Sequence, residues 1–152
     1  MLIDGYNVIY SWGIDTDDMH AAREKLLDVL DDYAGFSGED ITVVFDGYNK
    51  RQPALVEKRG LLTVVFTAFG VTADIHIQRI VKESGGNHKV VTADCLEQLS
   101  VFASGAVRIT PAELKTIIAA AREKHISLID RSSLSKSELK KRLALDSIGQ
   151  PE

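Results

Sequence analysis

Short β-branched runs separated by stretches of helical spacing recur along the whole chain, and that alternation restricts it to an α/β fold with a mainly parallel sheet. Leu2–Ile3 opens the series, with a second apolar run at Val8–Tyr10 beyond Asp4-Gly5-Tyr6-Asn7. Ile41–Phe45 and Leu61–Phe66 are continuous β-branched and aromatic runs, as expected of strands covered on both faces. His88–Val91 and Ala106–Ile109 supply a fourth and a fifth. The first helix is expected from Asp17 to about Tyr33, with Ala22, Leu26, Leu27 and Leu30 on one face and Gly35 and Gly38 ending it. A second runs from a Thr72 cap to about Lys82, with Gly85-Gly86 closing it. Asp94 and Glu97 have capping-box spacing and open a helix to about Ala103. Thr110-Pro111-Ala112-Glu113 is a strong start for a helix reaching about Lys124, because Thr caps, Pro suits the first helical position and Glu reaches back. Lys136–Leu145 reads as a separate basic helix on the outside, and residues 48–60 as a polar loop.

At 152 residues one core suffices, and no stretch approaches the ~18 apolar residues of a membrane span. The N-terminus lacks the basic and long apolar regions of a signal peptide, so the expected location is the cytoplasm. Cys95 is the single cysteine, which excludes an intramolecular disulfide and a multi-thiolate zinc site. The net charge of −4 conceals a steep gradient. Residues 1–46 hold eleven acids against Arg23 and Lys25, whereas residues 108–142 hold nine Lys/Arg against four acids. Such a chain suits cations at one place and polyanions at another, although solvated helix faces alone produce the same count.

The placement of four aspartates carries the chemistry. Asp4, Asp46 and Asp94 follow the first, second and fourth strands, and Asp74 falls in the first turn after the third. Ligands of open α/β sheets bind beyond the carboxyl ends of the strands, so these distant side chains are expected to converge there. Several carboxylates together need a counter-charge. Mg²⁺ takes one or two of them, keeps waters and leaves room for a substrate phosphate, which is the chemistry of phosphodiester hydrolysis. Each aspartate also has a purely structural reading. Asp74 and Asp94 suit the positive ends of helix dipoles, and Asp4-Gly5 and Asp46-Gly47 suit turns.

Asn7 is a candidate to orient a carboxylate or a phosphate oxygen, and equally a turn residue. Thr72 and Thr92 suit capping. His20, His76, His88 and His125 have no ligand spacing and are assigned to neither zinc nor catalysis. Tyr6, Trp12, Tyr48 and Phe69 lie near the same edge as candidates to stack on unpaired bases, or to pack.

With these residues in view, Leu2-Ile3-Asp4-Gly5-Tyr6-Asn7-Val8-Ile9 resembles the opening motif of NYN domains, relatives of the PIN nucleases. Val43-Val44-Phe45-Asp46, Val65-Phe66-Thr67 followed by Thr72-Ala73-Asp74, and Thr92-Ala93-Asp94 with Phe102–Arg108 resemble the YacP-like branch in order and spacing, over residues 2 to about 125. The resemblance implies a PIN-like three-layer fold, with about five strands in the order 3-2-1-4-5 flanked by helices. Asp4 and Asp94 then flank the switch point. It implies Mg²⁺- or Mn²⁺-dependent RNA cleavage and, for this branch, an endoribonuclease acting on messenger RNA at the ribosome. Asp4, Asp46, Asp74 and Asp94 match the acidic metal positions, and Asn7 matches the asparagine of the motif. The branch usually reads Glu-Thr-Ala-Asp-Glu around the third acid, whereas Val71 and Ile75 stand here in place of both glutamates. The C-terminal basic helix is also shorter than usual.

The resulting expectation is a nuclease domain over residues 1–130, with a basic helix and tail over 131–152. Asp4, Asp74, Asp94 and Asn7 are the catalytic candidates, Asp4, Asp74 and Asp94 hold the metal with Asp46 in support, and metal-bound water attacks the phosphodiester. Lys50, Arg51, Lys58, Arg59 and Arg108 are candidate RNA contacts. Two alternatives remain open. One is a non-catalytic RNA- or ribosome-binding module, favoured by the missing glutamates. The other is a phosphatase or phospho-acceptor using Asp4 or Asp46, against which Asp4-Gly5-Tyr6 lacks a second acid.

Overall fold

The computed structural model describes residues 1–47, 51–94, 103 and 105–146. Its elements are β1 (Leu2–Asp4), α1 (Gly5–Ser11), α2 (Met19–Ser37), β2 (Ile41–Phe45), β3 (Leu55–Arg59), β4 (Leu62–Phe66), α3 (Ala73–Glu83), β5 (Lys89–Val91), β6 (Val107–Ile109) and α4 (Pro111–Asp146). Tyr48, Lys50, Cys95 and most of the helix expected after Asp94 lie outside the described residues.

Side chains alternate across a strand, and here that alternation divides the core in two. Ile3, Val43, Phe45, Leu62, Val64 and Val91 join Ile9, Leu26, Leu27, Leu30, Leu114 and Ile118 from α1, α2 and α4. Leu2, Val44, Val65 and Val90 face the other way, onto Ala73, Ile77 and Val81 of α3. Helices therefore cover both sheet faces, and each fully buried aliphatic side chain contributes roughly 1.5–3 kcal/mol.

The sheet has six strands in the order β3-β4-β2-β1-β5-β6. β4, β2, β1, β5 and β6 are parallel and reproduce the expected order 3-2-1-4-5. The additional strand corrects the polar-loop reading of residues 48–60. β3 pairs antiparallel with β4, from Leu55↔Phe66 to Arg59↔Leu62. Gly60, at φ 56°, makes the tight reversal, and the Leu61 amide donates to Asp31 Oδ1 of α2 at 2.9 Å. Nearly every β3 residue is exposed, so no burial pattern marks it in the sequence, and its Glu57-Lys58-Arg59 run guards a sheet edge against unwanted pairing.

Three helical expectations also change. The apolar run Val8–Tyr10 belongs to α1, which begins directly after Asp4. Gly35 lies inside α2, and Gly38, left-handed at φ 71°, ends it. The two helices expected at the C-terminus are one, because nothing between Lys124 and Lys136 is Pro or Gly to interrupt them. The expected start is present as a reciprocal box: the Thr110 amide donates to Glu113 Oε2 at 2.9 Å and the Glu113 amide to Thr110 Oγ1 at 3.1 Å. Residue 130 falls within this continuous helix.

At the opposite end of the sheet from Asp4, Glu39 ties three pieces of chain together. It accepts from Lys89 Nζ at 2.8 Å and from the Tyr33 hydroxyl at 3.1 Å. Burial pushes its carboxyl upward, but these donors, with the charges of Lys89 and the N-terminal ammonium, hold it below the ordinary value. A group depressed in the folded state stabilises the protein above its unfolded-state pKa, and that stabilisation is lost as pH falls through the folded-state value. Glu39→Gln is therefore expected to lower stability at pH 7 by up to about 1 kcal/mol, Lys89 being half exposed. The difference from wild type should shrink toward about pH 3, below the ordinary glutamate range, as read by urea unfolding at the two pH values.

A second expectation concerns Gly5, where a Cβ would run into the Phe45 ring. Gly5→Ala should cost roughly 1–3 kcal/mol in the same assay.

Candidate functional site

Connections run outward from β1 through β2 to β4 in one direction, and through β5 to β6 in the other, so the sheet reverses between β1 and β5. Beyond the carboxyl ends of the strands at that point lies a cavity of about 610 Å³. Asp4, Asp46, Asp74 and Asp94 all line it, with Asn7 and Thr72. Tyr6, Tyr10, Ser11, Ala73 and Ala93 complete the wall. Side chains that are 90 residues apart in sequence thus share one space.

Asp4 is the last residue of β1 and the N-cap of α1. It is only 6% exposed, at the inner end of the cavity. Its Oδ1 accepts from the Asn7 amide at 3.4 Å and its Oδ2 from Asn7 Nδ2 at 3.1 Å. The other end of the Asn7 side chain, Oδ1, accepts from the Ala93 amide at 3.1 Å. Asn7 therefore ties the Asp4 carboxylate to the chain leaving β5. Asp94 follows directly, with its amide donating to Oγ1 of the fully buried Thr92 at 3.1 Å.

Asp46 and Asp74 meet at the start of α3. Asp46 Oδ1 accepts from the Ala73 amide, and the Thr72 hydroxyl donates to Asp74 Oδ1. Thr72 also caps the helix, accepting from the Ile75 amide at 3.4 Å. Both acids thus sit at the positive end of the α3 dipole. Thr67, buried and unremarked in the sequence except as part of a motif, fixes this corner. Its hydroxyl accepts from the Gly47 amide at 2.9 Å and donates to the Val71 carbonyl at 2.6 Å. A strand-end threonine followed by a second threonine cap is the signal that marks it.

The donors available are carboxylate, amide and hydroxyl oxygens, the chemistry that suits a hard divalent cation such as Mg²⁺ or Mn²⁺. Among the described residues no three His, Cys, Asp or Glu side chains are grouped so that together they could hold a metal ion. Asp46 and Asp74 each accept one hydrogen bond through Oδ1 at the start of α3, so the donor set fits an open site in which waters complete the coordination, rather than an all-protein cage. Ile75, at one of the two positions where the resemblance leads one to expect glutamate, is 39% exposed beside Asp74.

The basic candidates are dispersed. Arg51 and Arg108 are exposed. Lys58 Nζ donates to Thr63 Oγ1 at 2.6 Å, and the Arg59 guanidinium is paired with Glu24 and Asp28 of α2. None of these four lines the aspartate cavity. Of the aromatic candidates, Tyr6 packs on Phe45 with centroids 5.0 Å apart, and Trp12 Nε1 donates to the Pro111 carbonyl at 2.7 Å, so both are packing residues. Phe69 is 63% exposed.

Asn7→Ala removes two side-chain hydrogen bonds and leaves a buried carboxylate short of a donor. It is expected to lower stability by roughly 1–3 kcal/mol in urea unfolding, more than Ser11→Ala on the same cavity wall.

No helix among the described residues is long and apolar enough to cross a membrane. A family model described as the YacP-like NYN domain matches residues 1–150. The protein YacP of Bacillus subtilis (strain 168) is 28% identical over 121 residues, 75% of this chain and 71% of that protein. The crystal structure of Rae1 (YacP) from Bacillus subtilis superposes with a TM-score of 0.68 at 25% identity, covering 97% of this chain and 88% of the other. A tryptophan-to-leucine mutant of it gives 0.69 at 26% identity, covering 94% and 88%. NYN domains are PIN-like nucleases, and such nucleases generally use divalent metals. With its strand order, its acid-lined switch point and a family match over nearly its full length, this chain belongs to the YacP-like NYN domain family, with a nuclease-type, RNA-related function.

Proposed function

We propose that the chain is a Mg²⁺- or Mn²⁺-dependent endoribonuclease that hydrolyses phosphodiester bonds of messenger RNA in a ribosomal, cytoplasmic setting. The observation that carries this reading is the single cavity lined by Asp4, Asp46, Asp74 and Asp94 at the switch point. Asp4, Asp74 and Asp94 are the residues that would hold the metal, with Asp46 in support. When bound, such a cation polarises the phosphodiester and brings the pKa of water into a usable range.

The chain's own groups have distinct tasks in this proposal. Asp4, desolvated at the inner end, provides a fixed negative charge whose orientation Asn7 maintains. The exposed Asp94 faces solvent and substrate. Asp46, bonded to the first amide of α3, keeps that helix end against the site. Arg51 and Arg108, with Lys50, Lys58 and Arg59, are assigned to phosphates farther along the strand, Arg59 only on exchange of its acidic partners. Residues 1–130 would form the nuclease unit. The segment 131–152, with Lys136, Lys140, Lys141 and Arg142 on the exposed end of α4, would be the basic extension that meets a polyanionic partner.

A second reading, an RNA-binding module without turnover, is favoured by Val71 and Ile75 and by the absence, among the described residues, of three His, Cys, Asp or Glu side chains grouped to hold a metal. Incubation of end-labelled single-stranded RNA with the purified chain separates the two. Cleavage should require Mg²⁺ or Mn²⁺, stop with EDTA, and fall at least about a hundredfold in Asp4→Asn, since even groups behind metal ligands cost 10–100-fold. RNA binding without metal-dependent cleavage, or cleavage indifferent to Asp4→Asn, overturns the enzyme reading.

A further inference from the structure

A second cavity, of about 440 Å³, lies between the start of α2, the β3–β4 hairpin and the turn after β4. It adjoins the aspartate cavity: Tyr6 lines both, and Asp46 lines one while its neighbour Gly47 lines the other. Its size is within the range of small-molecule sites. From Tyr6 an aromatic row leads into it, Tyr6 on Phe45 at 5.0 Å and Phe45 stacked on Phe66 at 5.6 Å and 24°. The Arg23 guanidinium lies 5.8 Å over the Phe66 ring and donates to the Tyr6 hydroxyl at 3.1 Å. At the mouth stands Phe69, 63% exposed, its amide donating to the Gln52 carbonyl at 3.2 Å.

Charge narrows the ligand. Glu24 and Glu57 line this cavity beside Arg23 and Arg59, and Arg59 is already paired with Glu24 and Asp28, so the walls carry no excess of positive charge to attract a phosphate. What remains is a planar aromatic and guanidinium lining with the Gln52 amide beside it, which matches a flat heterocycle with polar edges. We propose that this cavity is a base subsite that takes one unpaired nucleobase of the RNA whose phosphodiester lies over the aspartates. The inference rests on the nuclease reading for its substrate and adds Phe69, with Phe66 and Arg23, as the residues that select single-stranded RNA.

Two measurements test it separately from cleavage. The first follows the phenylalanine ring resonances of the full chain by NMR during titration with a nucleoside monophosphate, and with ribose 5-phosphate, which lacks the base. Phe66 and Phe69 should shift with the first and not with the second. The other measures anisotropy of a labelled single-stranded RNA on Asp4→Asn protein, with and without Phe69→Ala. Loss of one base–aromatic stack should weaken binding about 5- to 150-fold. The exposed position of Phe69 should leave the thermal midpoint unchanged. Ring shifts and weakened binding support the subsite, and they do so even if no cleavage is found, in which case the nuclease reading alone falls. Metal-dependent cleavage with unmoved rings, equal shifts from ribose 5-phosphate, or unaltered RNA affinity in Phe69→Ala overturns the subsite and leaves the nuclease reading intact.

Discussion

β1 is three residues long, pairs with a neighbour on each side and is buried throughout, and the rest of the molecule is built around its last residue. Asp4 ends this strand one position beyond the Ile3–Val91 pair, where its carboxylate has lost most of its water. A carboxylate in that position costs several kcal/mol unless donors replace the solvent. Asn7 provides them within one helical turn, which requires the chain to enter α1 at once. Entering at once brings residue 5 against the Phe45 ring, where only glycine fits, and puts the Tyr6 ring on the same phenylalanine. The Asp-Gly-Tyr-Asn sequence is therefore a single physical solution: an acid to be placed, a glycine to permit the turn, an aromatic ring to anchor it and an amide to compensate the acid.

The same logic governs the other acids, with a different balance. Asp46 and Asp74 each accept one hydrogen bond, from the Ala73 amide and the Thr72 hydroxyl at the start of α3, and these donors with the helix dipole offset part of the repulsion between the two carboxylates. The helix end and a cation would compete for the same two side chains. In a site with additional glutamates on either side of Asp74, the extra negative charge would tilt that competition toward the cation. With Val71 and Ile75 there, the local negative charge is lower and the balance tilts toward the helix.

What was legible in the sequence was whatever burial or capping imposes locally. The five parallel strands are marked by β-branched runs, the start of α4 by its Thr110-Pro111-Ala112-Glu113 box, and the shared cavity by aspartates at successive strand ends. β3 was not legible, because Leu55 and Val56 are exposed and its existence depends on the Gly60 reversal and on the open edge of β4, a tertiary property. Nor was the fusion of the last two helices, since a run containing Ser132, Ser133 and Ser135 has weak helix propensity but no residue that stops a helix already started. The row of Tyr6, Phe45 and Phe66 with Arg23 over it was not legible either, because an arrangement assembled from α1, β2, β4 and α2 has no linear spacing.

The acidic first third of the chain shows how far a charge count can be taken. Its excess invites a reading as a cation collector, yet Glu24 and Asp28 hold Arg59, Asp31 accepts the Leu61 amide, and Glu39 holds Lys89 and the Tyr33 hydroxyl. These acids fasten the β3–β4 hairpin and β5 to α2. Only Asp4 and Asp46 of that segment reach the cavity. The fastening also bears on the site beside it, because the hairpin held by α2 forms one wall of the aromatic cavity, and α2 supplies Arg23 to the opposite wall. Surface ion pairs are individually weak, and here they join α2, which carries Arg23, to the hairpin that carries Phe66.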